Sequence, residues 1–220
     1  MARIPNKLHL EIIPGILEQD FASIEKKLEI IKPFATSVHI DLLDGIFAPN
    51  KTFMDAAPFA KYTKDFTFEV HLMVDNPLQY VQPFADAGFK RFIGQIEKMK
   101  DIPEFVAKGQ MLGEVGLAID STTSMDIFNF DIEDVDFAFV MTVKAGFSNQ
   151  SFLPEMLEKV KILRSKDPLL PIEVDGGINE ANIMSAKQAG ATRFVSTGYI
   201  FNQGENPSAQ YQTLCQLVTG

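Results

Sequence analysis

Residues 170–190 read LPIEVDGGINEANIMSAKQAG, and this stretch holds one complete unit of the fold. Leu170–Val174 is a short apolar run of strand length, and the acid Asp175 follows it. Gly176-Gly177 supplies the permissive backbone of a turn. Asn179 reads as a helix N-cap, because its short side chain can accept from the free N–H groups of a first turn. The helix predicted over Asn179–Gln188 stops at Gly190, which fits a left-handed C-terminal cap.

The same alternation runs along the chain. Strand-like runs fall at Leu8–Ile13, Ser37–Ile40, Phe66–His71, Arg91–Ile93, Gly113–Ala118, Phe137–Val143 and Arg193–Ser196. Helical segments are predicted at Phe21–Ile31, Met54–Tyr62, Pro77–Ala85, Asp101–Lys108, Pro154–Arg164 and Ala209–Val218, with short helical turns in Ser121–Asp131. Gly88 is a second helix-ending glycine. Strands alternating with helices predict a parallel sheet. With no glycine fingerprint after the first strand, the closed TIM barrel, (β/α)8, is favoured over an open doubly wound sheet. The 220 residues suit one such barrel, read as a single domain over 1–220 with no linker or repeat.

Composition narrows the function. Hydrophobic content of 46% and charged content of 22% are those of a folded globular protein. A net charge of −9 without a Lys/Arg cluster argues against nucleic acid and leaves phosphate groups to backbone amides and helix N-termini. The lone Cys215 excludes an internal disulfide. Residues 1–10 lack the apolar core of a signal peptide, and no apolar run has bilayer-spanning length, so the expectation is a cytoplasmic protein without membrane attachment.

In a parallel barrel, ligands bind at the carboxyl ends of the strands. Three strings deliver chemistry there: His39-Ile40-Asp41, Glu69-Val70-His71 and Glu173-Val174-Asp175. Residues two apart on a strand face the same way, so His39 and Asp41 can address one point. His71 adds a second imidazole and Asp175 a second carboxylate, a donor set that suits zinc and related transition metals. Each piece also has a structural reading: a His–Asp hydrogen bond, or an acid opening a turn. His9 is read as a structural residue inside the first strand, and Asp44-Gly45 as a turn. Met73 and Met141 lie near strand ends, where core filling competes with ligand contact. Gly146-Phe147-Ser148-Asn149 and Thr197-Gly198 follow the sixth and eighth strands, a usual place for phosphate-binding amides.

HIDLLDGIFAPNKTF (39–53), EVHLMVDNP (69–77), VMTVKAGFSNQSFLPEML (140–157) and EVDGGIN (173–179) together resemble the ribulose-phosphate 3-epimerase family, over nearly the whole chain. The resemblance implies a (β/α)8 barrel holding one divalent metal through His39, Asp41, His71 and Asp175, with zinc first and iron, manganese or cobalt as alternatives. It implies interconversion of D-ribulose 5-phosphate and D-xylulose 5-phosphate, with Asp41 and Asp175 as the acid/base pair and a metal stabilising the enediolate. It implies a small phosphorylated ketose as partner, contacted by Gly15, His39, His71, Met73, Met141, Gly146, Phe147, Ser148, Asn149, Asp175, Gly176, Gly177, Thr197 and Gly198, and a homo-oligomer.

The chain departs from the family pattern at Gly15, where a serine is usual, at Leu43, and at Gln95, where a histidine is usual. Ser148, Asn149 and Thr197-Gly198 alter the phosphate loops; side chains at 148 and 149 should limit left-handed backbone, and Lys144 is a candidate compensating cation. These changes keep open a six-carbon ketose phosphate such as allulose 6-phosphate, and a non-catalytic barrel that binds metal or sugar phosphate.

Overall fold

In the computed structural model, which describes residues 9–127, 132–201 and 204–220, eight parallel strands close into a barrel in chain order. They are β1 (Glu11–Ile16), β2 (Ser37–Leu43), β3 (Thr67–Met73), β4 (Arg91–Gln95), β5 (Glu114–Ile119), β6 (Phe137–Met141), β7 (Ile172–Asp175) and β8 (Arg193–Ser196). The α-helices around them are α1 (Phe21–Ile31), α2 (Leu78–Asp86), α3 (Ile102–Gln110), α4 (Leu157–Lys166), α5 (Ile183–Ala189) and α6 (Pro207–Thr219). The expected TIM barrel is the observed fold. No helix among the described residues is long and apolar enough to cross a membrane.

Strand alternation separates two cores. Ile13, Leu43, Met73, Ile93, Phe139, Met141 and Val195 form a cluster inside the barrel. Their chain neighbours, including Ile12, Leu42, Leu72, Val140 and Phe194, pack outward in the core that includes Leu28, Phe84 and Leu163 of the helices. Each such buried side chain contributes roughly 1.5–3 kcal/mol. Gly116 of β5 is a clearance for this inner packing, since a Cβ there would collide with the ring of Phe137 on β6.

Toward the amino ends of the strands the interior is ionic. Arg91 Nη1 lies 3.1 Å from Glu69, its Nη2 3.1 Å from Glu11, and its Nε 3.4 Å from Glu114. Arg193 Nη2 donates to Glu114 at 2.8 Å. Buried charge is tolerated because these groups pair with one another.

Several sequence boundaries shift. β1 runs through Pro14, which pairs with Ser196, so the missing proline N–H does not end the strand at Ile13. His9 consequently lies before β1 and is exposed, not inside a strand. The helix expected over Met54–Tyr62 is a 3-10 helix, Ala57–Tyr62, anchored by Phe59 and Tyr62. Its two buried anchors are three residues apart, the spacing a threefold helix stacks on one face. Pro154–Met156 is likewise a 3-10 turn preceding α4. α5 starts at Ile183 rather than directly after Asn179: Asn179 Oδ1 accepts from Ala181 N at 2.9 Å, and Asn182 Oδ1 accepts from Asn179 N at 3.0 Å, which holds the segment as a turn. Gly190 ends α5 with φ +116°, and Gly88 follows α2 with φ +100°. Of the Ser121–Asp131 segment, Met125–Ile127 is a 3-10 turn, and residues 128–131 lie outside the described residues.

Overfilling the inner layer should destabilise the barrel. Gly116→Val is expected to cost about 1–3 kcal/mol, read as a lower urea midpoint at unchanged slope; an unchanged midpoint would refute the packing account.

Candidate active site

β2 and β3 carry their polar residues inward in register, His39 beside Glu69 and Asp41 beside His71. β7 adds Asp175 beside Met141 of β6. His39, Asp41, His71 and Asp175 each present a ligand atom, and these atoms lie within 4.8 Å of one another, all on buried residues. The four predicted ligands therefore meet. Asp41 and His71 sit within their strands, two residues before the ends, because both strands run further than the apolar pattern suggested.

His39 is oriented from below. Its Nδ1 lies 2.6 Å from Glu69 Oε1, and its Nε2 lies 3.2 Å from Asp41 Oδ1. With Nδ1–H donating to Glu69, Nε2 faces the Asp41 carboxylate, donating to it while His39 is protonated and offering a lone pair to a metal once that proton is lost. His71 Nδ1 faces the same oxygen at 3.1 Å. Lone pairs and carboxylates converging on one point call for positive charge there. The protonation tendencies agree: burial disfavours charge on His39, yet Asp41, Glu173 and Glu69 raise its pKa well above 6.5. Burial raises Asp41, but the two imidazoles outweigh this and hold it below its ordinary range. Burial, outweighing Asp41, lowers His71 and keeps it neutral, the metal-ligating form. Asp175 is pushed up to about 7 by burial and by the Asp41 carboxylate. Its side-chain oxygens accept no hydrogen bond among the described residues. This donor set, short of cations and converging, fits a divalent metal.

The rings of His39 and His71 rest on Phe139, with centroids 5.6 and 4.7 Å away. Glu173 lies 3.6 Å from His39 Nδ1, too far for a hydrogen bond, and its buried oxygens have no partner. Burial and the Glu69 carboxylate push it up to about 8. Glu69, Glu173 and Phe139 carry no role in the sequence reading. Two-residue alternation, which the sequence reading applied only to His39 and Asp41, also points Glu69 inward with His71 and Glu173 inward with Asp175, one layer lower.

Above the cluster opens a cavity of about 360 Å³. Asp41, Met73, Met141, Gly146, Phe147, Ser148, Asn149, Asp175, Gly176, Gly177, Thr197 and Gly198 line it. Gly15, His39 and His71, expected among the substrate contacts, do not: all three are buried. Asn149 adopts φ +60°, so a side chain at 149 does not prevent the left-handed turn, asparagine being tolerant of it. The loop is closed by Gln150 Nε2, which donates to the carbonyls of Lys144 (2.6 Å) and Phe147 (2.8 Å). The Lys144 side chain is exposed and off the cavity wall, which corrects its expected place beside a phosphate. Asn50 Nδ2 donates to Gly146 O at 2.8 Å, and Thr52 Oγ1 to Asp41 O at 2.9 Å, fastening the loop after β2 to the site. Asp44 accepts from Ile46 and Phe47 N–H groups and Gly45 has φ +84°, so Asp44-Gly45 is the expected turn. Thr142 Oγ1 donates to Asp175 O (2.9 Å) and Gly176 O (2.7 Å), which sets the turn carrying Asp175. Gln95 is buried outside the cavity wall, its amide donating to Ala118 O and Glu97.

A parallel barrel with two imidazoles and two carboxylates gathered under a pocket at its strand ends defines a (β/α)8 protein with a candidate metal centre. The chain belongs to the ribulose-phosphate 3-epimerase family, whose model matches residues 11–201. It is 39% identical over 222 residues to the cytoplasmic isoform of ribulose-phosphate 3-epimerase from Oryza sativa, covering 96% of this chain and 95% of that one. It is 35% identical over 198 residues to ribulose-phosphate 3-epimerase from Schizosaccharomyces pombe, covering 87% of each. The solved structure of KGPDC from Streptococcus mutans in complex with D-R5P superposes with a TM-score of 0.73 at 11% identity, over 97% of this chain and 98% of that one, a likeness of fold alone. These relatives are carbohydrate epimerases by name, which makes the family one of isomerases.

Because Glu69 orients His39, Glu69→Gln should weaken metal binding by about 10–100-fold. Competition with a chromophoric chelator measures it, and an unchanged affinity would remove Glu69 from that role.

Proposed function

We propose that the protein interconverts D-ribulose 5-phosphate and D-xylulose 5-phosphate by inverting C3. The observation that carries this reading is that Asp41 and Asp175, from β2 and β7, open onto one cavity and bring carboxylate oxygens within 4.8 Å of one another and of the His39 and His71 nitrogens. Inversion beside a carbonyl requires one base on one face of the carbon and one acid on the other. One aspartate takes the C3 proton as the C3–H electron pair moves into the C2–C3 bond and the carbonyl pair onto oxygen. The other aspartate, already protonated, returns a proton to the opposite face as the carbonyl re-forms. The two carboxyls thereby exchange protonation states, and the reverse reaction starts from the exchanged pair.

His39, Asp41, His71 and Asp175 would hold the divalent ion, zinc first with iron, manganese or cobalt as alternatives, and it would supply Lewis-acid stabilisation of charge on the substrate oxygens. Met73 and Met141 give the reacting carbon an apolar floor that limits access of water. The phosphate is assigned to the backbone amides around Gly146–Asn149, Gly177 and Gly198, with no lysine on the cavity wall among the described residues. The cytoplasmic isoform among the relatives supports a cytoplasmic setting.

Metal-loaded protein incubated in deuterated water with D-ribulose 5-phosphate should form D-xylulose 5-phosphate with deuterium at C3. Exclusive turnover of allulose 6-phosphate would move the assignment to a six-carbon ketose, and no exchange with either would sink it. Asp41→Asn and Asp175→Asn should each lower kcat by about 10²–10⁴-fold. Retention of most activity by either variant would take that residue out of the acid/base pair.

A further inference from the structure

Gly15 and Thr197 fit together at the mouth of the barrel. Ile13 pairs with Val195 and Pro14 with Ser196, so the register carried one step further sets Gly15 of β1 beside Thr197, just past β8. On its other side Gly15 pairs with His39. A Cβ on Gly15 would collide with Thr197 Oγ1 and lie 2.9 Å from Val195 Cγ1. The threonine hydroxyl thus occupies the space that a side chain at 15 would fill, on the inner face of the barrel next to the strand that carries His39 and Asp41.

Thr197 lines the cavity, and its hydroxyl has no hydrogen-bond partner among the described residues. The next residue points elsewhere: a Cβ on Gly198 would run into Asn149 Oδ1 of the loop after β6. Two consecutive residues therefore address two parts of the pocket. Gly198 lies against the loop after β6, where the phosphate is assigned, and the Thr197 hydroxyl faces Gly15 of β1, whose other strand neighbour is His39, toward the end where the reacting part of a bound sugar would lie. A hydroxyl offering both a donor and acceptor lone pairs suits a polyol chain.

We propose that Thr197 is a specificity-determining residue whose Oγ1 hydrogen-bonds an oxygen of the ketose carbon chain, and that Gly15 is the clearance that lets it reach. This rests on the sugar-phosphate reading above. A site built to bond a substrate hydroxyl discriminates through that bond, because its own polar group is left unpaired when the partner is missing.

The test compares metal-loaded wild type with Thr197→Val, Thr197→Ser and Gly15→Ala, measuring KM and kcat for D-ribulose 5-phosphate, the inhibition constant of inorganic phosphate, and melting temperature. Thr197→Val is nearly isosteric and should raise KM at least about tenfold, with unchanged melting and unchanged phosphate inhibition. Thr197→Ser should recover most of that loss, and Gly15→Ala, which displaces the hydroxyl without removing it, should resemble Thr197→Val. An unchanged KM in Thr197→Val overturns the proposal. So does an equal weakening of inorganic phosphate, which would assign the hydroxyl to the phosphate, or a serine variant as impaired as valine, which would assign the effect to packing of the methyl. Wild type that neither turns over nor exchanges C3 hydrogen would instead defeat the epimerase reading, and this proposal with it.

Discussion

The hydrogen bond between His39 Nδ1 and Glu69, 2.6 Å long and fully buried, joins the two polar layers of the barrel interior. Below it, Arg91 ties Glu69 to Glu11 and Glu114. Above it, the other nitrogen of His39 faces Asp41, and Asp41 faces His71. Orientation passes upward from an arginine paired with acids to an imidazole whose Nε2 addresses the cluster. A barrel core built only of aliphatic side chains would leave the His39 ring without this fixed tautomer. The constraint is costly in desolvation, and paired charges and Phe139 offset it.

The loops sit on this rigid centre by hydrogen bonds made largely to backbone. Thr52 holds the carbonyl of Asp41, Thr142 holds those of Asp175 and Gly176, and Asn50 holds that of Gly146. Each fastens a cavity wall to a strand or to a neighbouring loop. Substitution in the loops can then change which sugar is accepted while the cluster beneath stays in place. Of the residues that depart from the expected family pattern, Ser148, Asn149 and Thr197 line the cavity, whereas Gly15, Leu43 and Gln95 are buried in strands.

The barrel was legible because its signal is periodic and repeated. Alternation by two paired His39 with Asp41, position at strand ends added His71 and Asp175, and the structure brings all four together. Boundaries were less legible. Asn179 carries a capping side chain, but it uses it within a turn, and α5 starts later. His9 looked like part of a strand because an apolar run continues on both sides of it, whereas pairing with β8 begins only at Glu11. Lys144 looked placed for a phosphate by its position in the chain, and the loop turns its side chain to solvent.

Sequence by itself determined the barrel through the alternation of strands and helices, the family through the resemblance of four motif blocks, and the candidate donor set through residue type at strand ends, all of which are legible without knowing any distance. Tertiary structure decided what touches what. The shear of a closed barrel sets Gly15 between His39 and Thr197, lays Glu69 under His39, and puts Asn149 against Gly198. Those contacts join residues up to 182 positions apart in the chain, as with Gly15 and Thr197, and no spacing along one strand encodes them. They depend on the register between strands, which exists only once the sheet has closed on itself.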